Sequence, residues 1–428
     1  MKVLMFGWEF PPHISGGLGT ASYGLTRGMA KIPDLDITFV VPKAYGDEDQ
    51  SKMRVIGAGD ISLDKGDLKY AELLGKLSYI EVKSKIIPYH SPEEYEKLIE
   101  KASRTKAKLI YTTPGGKIHF SGGYGADLFG EIANYSLVAG KIAEDYPHDI
   151  IHAHDWLTYP AGMAAKSVSA KKLVIHVHAT DFDRSGGSVN PGVFEIEKKG
   201  MEAADEIIAV SKLTRNTIIN KYGIEARKVT TVYNAVEPVA EKEKIAMRRG
   251  VSDKVVTFLG RITLQKGPEY FVQAAEKVLR KMDNVKFVMA GGGELLERMI
   301  LWTASMGIAD RFHFTGFLKG DDVFRLFSIS DVYVMPSVSE PFGISPLEAM
   351  QSDVPVIISH QSGVAEILKY AIKTDFWDVD AMADAIYGLL NYPSLSESFI
   401  KYGREEVENL KWENSAKNVY KLYQKVVK

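Results

Sequence analysis

Short apolar runs rich in β-branched residues alternate with helical patterns along nearly the whole chain. Most of these runs are apolar at successive positions, which is typical of parallel strands covered on both faces. Strand followed by helix, repeated many times, predicts doubly wound α/β sheets that bind ligands at the carboxyl ends of their strands. The predicted strands are residues 3–6, 37–41, 150–153, 173–177, 206–210, 229–232, 255–259, 285–290, 312–314, 332–335 and 354–358.

The length of 428 residues predicts two domains, because a single hydrophobic core rarely grows that large. Charge rises and proline appears between residues 233 and 244, and we place the linker there. The predicted domains are therefore 1–236 and 237–428, the second ending in helices. Residues 44–125 are polar and dotted with glycine, and we expect them to form an excursion from the first sheet.

The charge balance argues against a nucleic-acid partner. Lys and Arg number 53 against 55 Asp and Glu, and the absence of cysteine excludes disulfides and thiolate metal sites. The first apolar run is too short for a signal peptide, and no run approaches the length of a membrane span. We expect a cytoplasmic enzyme with no integral membrane segment. The basic face of the last helical pattern leaves a peripheral membrane contact open.

Residues 337–350 place two carboxylates at the end of a predicted strand. Glu340 lies in a loop, and Glu348 lies in the first turn of the helix that follows. Between them, the free N–H groups around Gly343 and Ile344 predict an anion site. An anion site flanked by carboxylates suits a nucleotide sugar, which has phosphates in the middle and hydroxyls at both ends. The alternative is an ordinary strand–loop–helix with solvated acids.

Two cations leave the first strand of the second half. Arg261 and Lys266 lie at the mouth of the next helix, where they fit a diphosphate leaving group; the alternative is a pair of surface cations. Gly292 and Leu318 each follow a later strand of this half and could border a nucleoside.

A glycine-rich loop follows the first strand of the chain. Gly16, Gly17 and Gly19 precede a helical pattern, and glycines there would let the backbone approach a phosphate. The loop is not GxGxxG, and no acidic residue follows the second strand at a position suited to a ribose, so a Rossmann dehydrogenase is disfavoured. The alternative is a tight turn that needs positive φ.

Paired histidines close two strands of the first half. His152 and His154 share one face of a strand, as do His176 and His178, and such pairs could hold the metal of a hydrolase. In the alternative, one histidine hydrogen-bonds a sugar and the others pack in the core; His154 is then the candidate for the sugar site. Asn234 leaves the last strand of this half as either a turn former or a ligand donor.

Taken together, these residues resemble the two-domain retaining glycosyltransferases of the GT-B fold. The glutamate pair Glu340 and Glu348 is the most specific element, and residues 260–267 resemble the diphosphate element of that family. Residues 152–156 and 15–19 resemble the glycogen and starch synthase branch. The resemblance implies an α/β protein with two doubly wound, Rossmann-like parallel sheets facing a cleft, and a C-terminal helix that returns toward the first domain.

The resemblance also implies a role for each residue. Arg261 and Lys266 would bind the leaving diphosphate. Glu340 would contact the donor sugar, as would His154, and Glu348 would contact the ribose. The remaining implied donor contacts are Gly16, Gly17, Gly19, Asn234, Gly292, Leu318, Gly343 and Ile344.

The implied reaction moves glucose, with retention, from ADP- or UDP-glucose to an α-glucan, without a cofactor or a required metal. Residues 13–15 stand where bacterial synthases usually show a lysine, which leaves the acceptor open. One alternative is a hexosyltransferase that acts on a small sugar, a sugar phosphate or a lipid-linked acceptor. The HxH metallohydrolase is the remote alternative.

Overall fold

A computed structural model describes residues 1–14, 16–51, 53–63, 116–125, 127–237 and 252–428. The chain divides into two compact units, a first unit of residues 1–234 with 412–428 and a second unit of residues 235–411. The division falls two residues before the predicted boundary, and the last helix, counted in the second domain but expected to return toward the first, groups with the first unit. Most of the predicted linker and of the predicted excursion lies outside the described residues.

The first unit contains a seven-stranded sheet in the order β3-β2-β1-β4-β5-β6-β7, with every neighbouring pair parallel. Its central strands β1, β4 and β5 are buried except at Lys2 and Lys172, the first residues of β1 and β5, as the continuous apolar runs predict. The strands are Lys2–Phe6 (β1), Asp36–Val41 (β2), Arg54–Gly57 (β3), Ile150–His154 (β4), Lys172–Val177 (β5), Glu206–Ala209 (β6) and Val229–Thr231 (β7).

Helices connect these strands and start at recognisable signals. Pro191 opens one helix, and the Asn190 side chain accepts hydrogen bonds from the backbone N–H groups of Gly192 and Val193 as its N-cap. The helices are Gly17–Met29 (α1), Leu128–Asp145 (α2), Tyr159–Ser169 (α3), Asp181–Arg184 (α4), Pro191–Ala203 (α5) and Lys212–Tyr222 (α6).

The second unit contains a six-stranded parallel sheet in the order β10-β9-β8-β11-β12-β13. Its strands are Lys254–Leu259 (β8), Val285–Ala290 (β9), Phe312–Gly316 (β10), Val332–Met335 (β11), Val356–Ser359 (β12) and Ile372–Thr374 (β13). Its helices are Pro268–Leu279 (α7), Leu296–Ser305 (α8), Asp321–Ile329 (α9), Ser345–Gln351 (α10), Val379–Asn391 (α11) and Pro393–Val407 (α12).

The two sheets share one topology, which confirms the predicted α/β class with two doubly wound parallel sheets. In each sheet the strand order reverses beside the first strand, between β1 and β4 and between β8 and β11. Ligands of such sheets bind outside the carboxyl ends of the strands at this reversal. The predicted motifs follow β1, β4, β8 and β11, so each unit gathers its candidate residues at its own reversal point.

Two strands were missed by the sequence analysis, β3 and β13. Each lies at one edge of its sheet. The two short runs include Arg54 and Lys373, so they lack the continuous apolar signal of the central strands. The predicted strand at 354–358 begins two residues later, at Val356.

Helix Trp412–Val427 (α13) ends the chain and packs on α1. The close approach depends on glycine in α1. A Cβ atom at Gly24 would lie 2.3 Å from the Trp412 ring, and one at Gly28 would lie 2.7 Å from the Trp412 carbonyl oxygen. Across the described residues, no helix combines the length and the apolar character needed to cross a membrane.

The chain enters and leaves the second unit at adjacent positions. The backbone N–H of Val236 donates to the Leu410 carbonyl at 3.3 Å, and Val236 forms an isolated parallel bridge with Lys411. The second unit is therefore a continuous insertion into the chain of the first unit.

Gly28→Ala should destabilise the first unit by about 1–3 kcal/mol, because the new methyl group meets backbone atoms that cannot rotate away. The measurement is the free energy of unfolding in urea. The matched control is Gly388→Ala in α11, where the nearest atom, Leu395 Cδ2, lies 3.7 Å from the added Cβ. The control should stabilise the protein by about 0.5–1 kcal/mol. Equal effects of the two substitutions would contradict the α1–α13 packing.

Candidate functional site

A lysine–glutamate contact lies at the reversal point of the second unit. The Lys266 ammonium contacts Oε2 of Glu340, and the Ser337 hydroxyl donates to the same oxygen at 3.4 Å. The Glu340 side chain is 9% exposed and the Lys266 side chain 22%. The pair is thus held in a partly desolvated position where its charges act strongly on a ligand.

Local backbone geometry explains how Lys266 comes to face Glu340. Lys266 ends the 3₁₀ turn Leu264–Lys266 after β8, and Gly267 follows with φ 64°. A Cβ atom at Gly267 would lie 2.1 Å from the carbonyl oxygen of Pro336, at the end of β11. Glycine is therefore required twice here, for the positive φ and for the close approach of the two loops.

Gln265 joins the same two loops. Its backbone carbonyl accepts a hydrogen bond from the Val338 N–H at 2.9 Å. Its side-chain oxygen accepts one from Nη2 of Arg261 at 3.1 Å. Both predicted cations, Arg261 and Lys266, therefore lie on the loop that faces the glutamate stretch.

Glu348 lies on the first turn of α10, and its pKa is raised to about 7 by burial. The buried Tyr333 hydroxyl lies between the two loops; it contacts Ser345 Oγ at 2.9 Å and the Leu259 carbonyl at 3.3 Å. Burial raises the pKa of Tyr333, and the charges of Glu340 and Glu348 both add to the increase. The charges of both carboxylates therefore act on the Tyr333 hydroxyl. The sequence analysis did not single out Tyr333.

The turn after β11 brings a glycine beside this pair. Gly343 has φ 101°, and a Cβ there would lie 3.2 Å from Glu340 Cγ. Ile344 is the N-cap residue of α10, which has no side-chain cap. Pro346 has no N–H, and the Leu347 N–H donates to the Ile344 carbonyl at 2.9 Å, so the N–H groups left for the predicted anion site are those of Gly343, Ile344 and Ser345.

Glycines also line the strand ends beside β8. The Ile262 N–H donates to the Gly292 carbonyl at 2.9 Å, and a Cβ atom at Gly292 would meet no atom within 4 Å. Gly291, in contrast, has φ 141° and lies against the Gly260 carbonyl. Leu318 is partly buried against a small apolar cluster next to β8 and β9. Gly292 thus offers open space, whereas Leu318 also contributes to the core.

At the reversal point of the first unit, an internal carboxylate contacts the start of α1. Oε1 of the buried Glu9 accepts a hydrogen bond from the Gly19 N–H at 3.2 Å. Cβ atoms at Gly16 and Gly17 would meet nothing within 4 Å. Glu9 already uses the Gly19 amide, so Gly16 and Gly17 are the more open positions for a ligand. The sequence analysis did not assign Glu9 a role.

Four histidines at the ends of β4 and β5 form a stack, called here the histidine cluster: His152, His154 and His176 lie in the strands, and His178 directly follows β5. The ring centroids of His152 and His154 lie 4.3 Å apart, and those of His176 and His178 lie 4.4 Å apart. Nδ1 of His154 shares a hydrogen bond with Nε2 of His178 at 2.9 Å. Nδ1 of His152 shares one with the Tyr423 hydroxyl of α13.

Burial keeps the histidine cluster neutral. It lowers the pKa of His152 to about 3 and that of His178 to about 4, and it holds the pKa values of His154 and His176 well below the usual range. Among the described residues, Nε2 of His152, Nε2 of His154 and both ring nitrogens of His176 have no hydrogen-bond partner. Such buried polar atoms cost free energy, and a ligand hydroxyl that reached one would recover it.

The geometry of the histidine cluster does not favour a metal site. One nitrogen each from His152, His154 and His176 lie within 4.8 Å of one another. Tetrahedral zinc needs nitrogens about 3.3 Å apart with lone pairs that converge. The three rings are instead stacked at angles of 6–23°, so their in-plane lone pairs lie in separate, nearly parallel planes and do not converge on one point. The remote metallohydrolase alternative gains no support from this arrangement.

A buried ionic network fixes the strand ends that carry the histidine cluster. Asp155 has φ 63° and accepts hydrogen bonds from the backbone N–H groups of His178 and Ala179 at 3.3 and 3.4 Å. Arg184 donates to Asp155 at 3.1 Å and to Glu197 at 3.0 Å. Burial raises the pKa of Glu197 to about 8, although Arg184 acts in the opposite direction. The sequence analysis did not single out Arg184 or Glu197, because neither residue lies in a recognisable motif.

The predicted residues therefore fall into two groups. In the second unit, Arg261, Lys266 and Glu340 lie on two loops joined by hydrogen bonds, with Glu348 on the helix that follows. The predicted residues of the first unit follow β1, β4 and β7: Gly16, Gly17, Gly19, His154 and Asn234. Asn234 is buried and is the last residue of its unit before the insertion.

Two doubly wound parallel sheets of this topology match the fold of solved GT-B glycosyltransferases. Sucrose-phosphate synthase from Thermosynechococcus elongatus has the same fold, with a TM-score of 0.72 at 17% identity over 99% of this chain and 98% of that one. HepE from Anabaena, solved in complex with UDP-glucose, gives a TM-score of 0.68 at 15% identity, over 99% of this chain and 100% of that one.

Residues 240–406 match the family model of Glycosyl transferases group 1, and residues 115–239 match that of Glycosyltransferase Family 4. An uncharacterized glycosyltransferase of Methanocaldococcus jannaschii is 28% identical, over 99% of this chain and 98% of its own. Glycogen synthase of Mycobacterium tuberculosis is 22% identical, over 99% and 94%. Residues 115–406 thus match two glycosyltransferase family models, and the chain is similar over nearly its whole length to glycosyltransferases.

Acidification should destabilise the protein through the histidine cluster. The lowered pKa values mean that the unfolded chain binds protons below about pH 6.5 while the folded cluster stays neutral. The contribution of the neutral cluster to the free energy of unfolding is therefore complete above about pH 6.5. It is lost as the pH falls toward about 4, by up to about 1.4 kcal/mol per pH unit for each histidine. The measurement is the free energy of unfolding in urea across this pH range.

His176→Phe should reduce the slope of the free energy of unfolding against pH while preserving stability at neutral pH. The reason is that it removes a ring whose two nitrogens have no partner among the described residues. The control is His119→Gln at an exposed position. If His176→Phe leaves the slope of stability against pH unchanged, the neutral histidine cluster is refuted.

Proposed function

We propose that this protein is a retaining hexosyltransferase that moves glucose from ADP- or UDP-glucose to an α-glucan, as glycogen synthases do. The observation that carries the proposal is the contact between Lys266 and Glu340, at the reversal point of the second sheet and beside Arg261 and the start of α10. This arrangement combines cations for a diphosphate with a carboxylate for sugar hydroxyls.

Each residue of the second unit takes a distinct part in the proposed donor site. Lys266 and Arg261 bind the diphosphate, with Arg261 supplying a fork and Lys266 a point charge. Oε2 of Glu340 is engaged by Lys266, so we assign Oε1 to the hydroxyls of the donor sugar. Glu348 accepts from the ribose. The N–H groups that follow Gly343 complete the anion site.

The remaining contacts are proposed on weaker local geometry. Gly292 provides open space for a nucleoside, and Leu318 an apolar border. In the first unit, we retain Gly16, Gly17, Gly19, His154 and Asn234 as substrate contacts. The His154 ring is completely buried, so a hydroxyl reaches its Nε2 only if the surrounding side chains move.

The proposed reaction breaks the bond between the anomeric carbon and the diphosphate oxygen. The acceptor hydroxyl oxygen forms the new bond on the same face, and its proton passes to the departing diphosphate. Lys266, Arg261 and the oriented N–H groups stabilise the negative charge that develops on the leaving group. Such fixed positive groups would supply the stabilisation that a bound metal ion gives in other transferases, so we propose a reaction without a metal cofactor.

The names of related proteins support the donor more directly than the acceptor. HepE was solved with UDP-glucose bound, which supports a nucleoside diphosphate sugar. Glycogen synthase supports a glucan acceptor, whereas sucrose-phosphate synthase favours the second candidate, a transferase that acts on a small sugar or sugar phosphate. A cytoplasmic location, where nucleotide sugars are made, completes the proposal.

The test is a screen of nucleotide sugars for released nucleoside diphosphate, with glycogen, maltooligosaccharides, fructose 6-phosphate or buffer as acceptor. The proposal requires that ADP- or UDP-glucose releases its nucleoside diphosphate and that a glucan primer is extended. Release only with the sugar phosphate would select the second candidate. No release with any donor would overturn the transferase site described here.

Lys266→Ala and Glu340→Ala should each lower turnover at least about 100-fold, because each removes charge stabilisation or positioning at the leaving group. The control is Lys277→Ala on α7, which removes only a half-exposed lysine paired with Asp380. Initial rates and circular dichroism would be compared for all three. Near-normal turnover in both site variants would refute the site assignment.

Donor affinity should fall as the pH decreases through about 7, because the raised pKa of Glu348 means that its carboxylate becomes protonated there and accepts fewer ribose hydroxyls. Isothermal titration with ADP and UDP between about pH 8 and pH 6 measures this effect. Glu348→Gln is the control, since it retains the titration of the phosphates but lacks the carboxyl. An identical pH dependence in the variant would show that Glu348 does not contact the nucleotide.

A further inference from the structure

The last helix of the chain reaches the candidate sugar-binding histidine through one intermediate side chain. Tyr423 of α13 is completely buried, and its hydroxyl contacts Nδ1 of His152. The two rings meet edge to face, with centroids 5.7 Å apart and an interplanar angle of 83°. This contact joins residues that lie 271 positions apart in the sequence.

Within the part of the chain that the structure describes, His152 makes this one side-chain hydrogen bond, and its other ring nitrogen, Nε2, has no partner. Burial lowers the pKa of His152 to about 3 and raises that of Tyr423, so both groups are neutral. A neutral imidazole carries one donor and one acceptor nitrogen, and the partner of one nitrogen determines the tautomer and the ring rotation. The Tyr423 hydroxyl therefore fixes how His152 is turned.

The orientation of His152 matters because His154 packs on its face. Their centroids are 4.3 Å apart with planes 21° from parallel. On the opposite side, His154 is held at Nδ1 by His178 at 2.9 Å, while Ser22 Oγ lies 3.5 Å away. A rotation of the His152 ring would move the surface against which His154 is held. Small displacements of a group that contacts substrate reduce turnover strongly.

We infer that Tyr423 is a positioning residue that holds His154 in its productive orientation through His152. The inference rests on the proposed function only in assigning His154 a contact with the donor sugar. It makes the C-terminal helix part of the transfer machinery, in addition to its packing against α1.

The test is Tyr423→Phe, which removes one hydroxyl and keeps the ring. We expect kcat to fall about 10-fold with the donor KM changed less than about twofold, because the interaction orients a group without binding substrate. The ¹⁵N signals of the histidine imidazoles should also report a changed tautomer of His152. The control is Tyr420→Phe, on the same helix at a partly exposed position, which should leave kcat and the ¹⁵N signals unchanged.

A double-mutant cycle with His152→Phe tests whether Tyr423 acts through His152. In the His152→Phe background, Tyr423→Phe should have no further effect on kcat. The double variant also removes both partners together, so it stays informative if Tyr423→Phe alone fails to fold. Additive losses in kcat would overturn the inference, as would unchanged ¹⁵N signals in Tyr423→Phe.

The two readouts separate this inference from the proposed function. The ¹⁵N spectrum depends on no substrate, so a changed His152 tautomer together with an inactive wild-type protein would refute the proposed function alone. An active wild-type enzyme whose Tyr423→Phe variant keeps its kcat would refute the positioning role alone.

Discussion

The contact between Lys266 and Glu340 is the constraint on which the candidate site depends. Taking two charges out of water costs free energy, so a partly buried ion pair of this kind is weak evidence for stability. The Lys266–Glu340 pair matters because of where it lies in the fold. The pair joins the loop after β8 to the loop after β11 at the point where the strand order reverses. The close approach of Gly267 to Pro336 and the Gln265 hydrogen bonds hold those loops in register.

The two units use opposite electrostatic solutions at equivalent positions of their sheets. The second unit gathers formal charges, two cations and two carboxylates, around a helix start. The first unit gathers neutral imidazoles at the ends of β4 and β5, and its buried charges include Glu9 and the Asp155–Arg184–Glu197 network.

The sequence predicted the sheets well because their central strands are buried on both faces, and such burial requires continuous apolar runs. It missed β3 and β13 because an outermost strand can carry Arg54 or Lys373. The predicted residues of the second unit were found together because they follow strands that flank the reversal point. Tyr333, Glu9, Arg184 and Tyr423 were not predictable in this way, since each acts through a contact between segments distant in sequence, and a single sequence records no such pairing.

The bridge between Val236 and Lys411 has a consequence for how such a protein can be built and rebuilt. The two ends of the second unit lie side by side. Deleting that unit would therefore leave a short gap that a few residues could close. The first unit, by contrast, is assembled from two segments of chain, and α13 is synthesised only after the entire second unit. During synthesis, α13 therefore cannot pack on α1 until the whole of the second unit has been made.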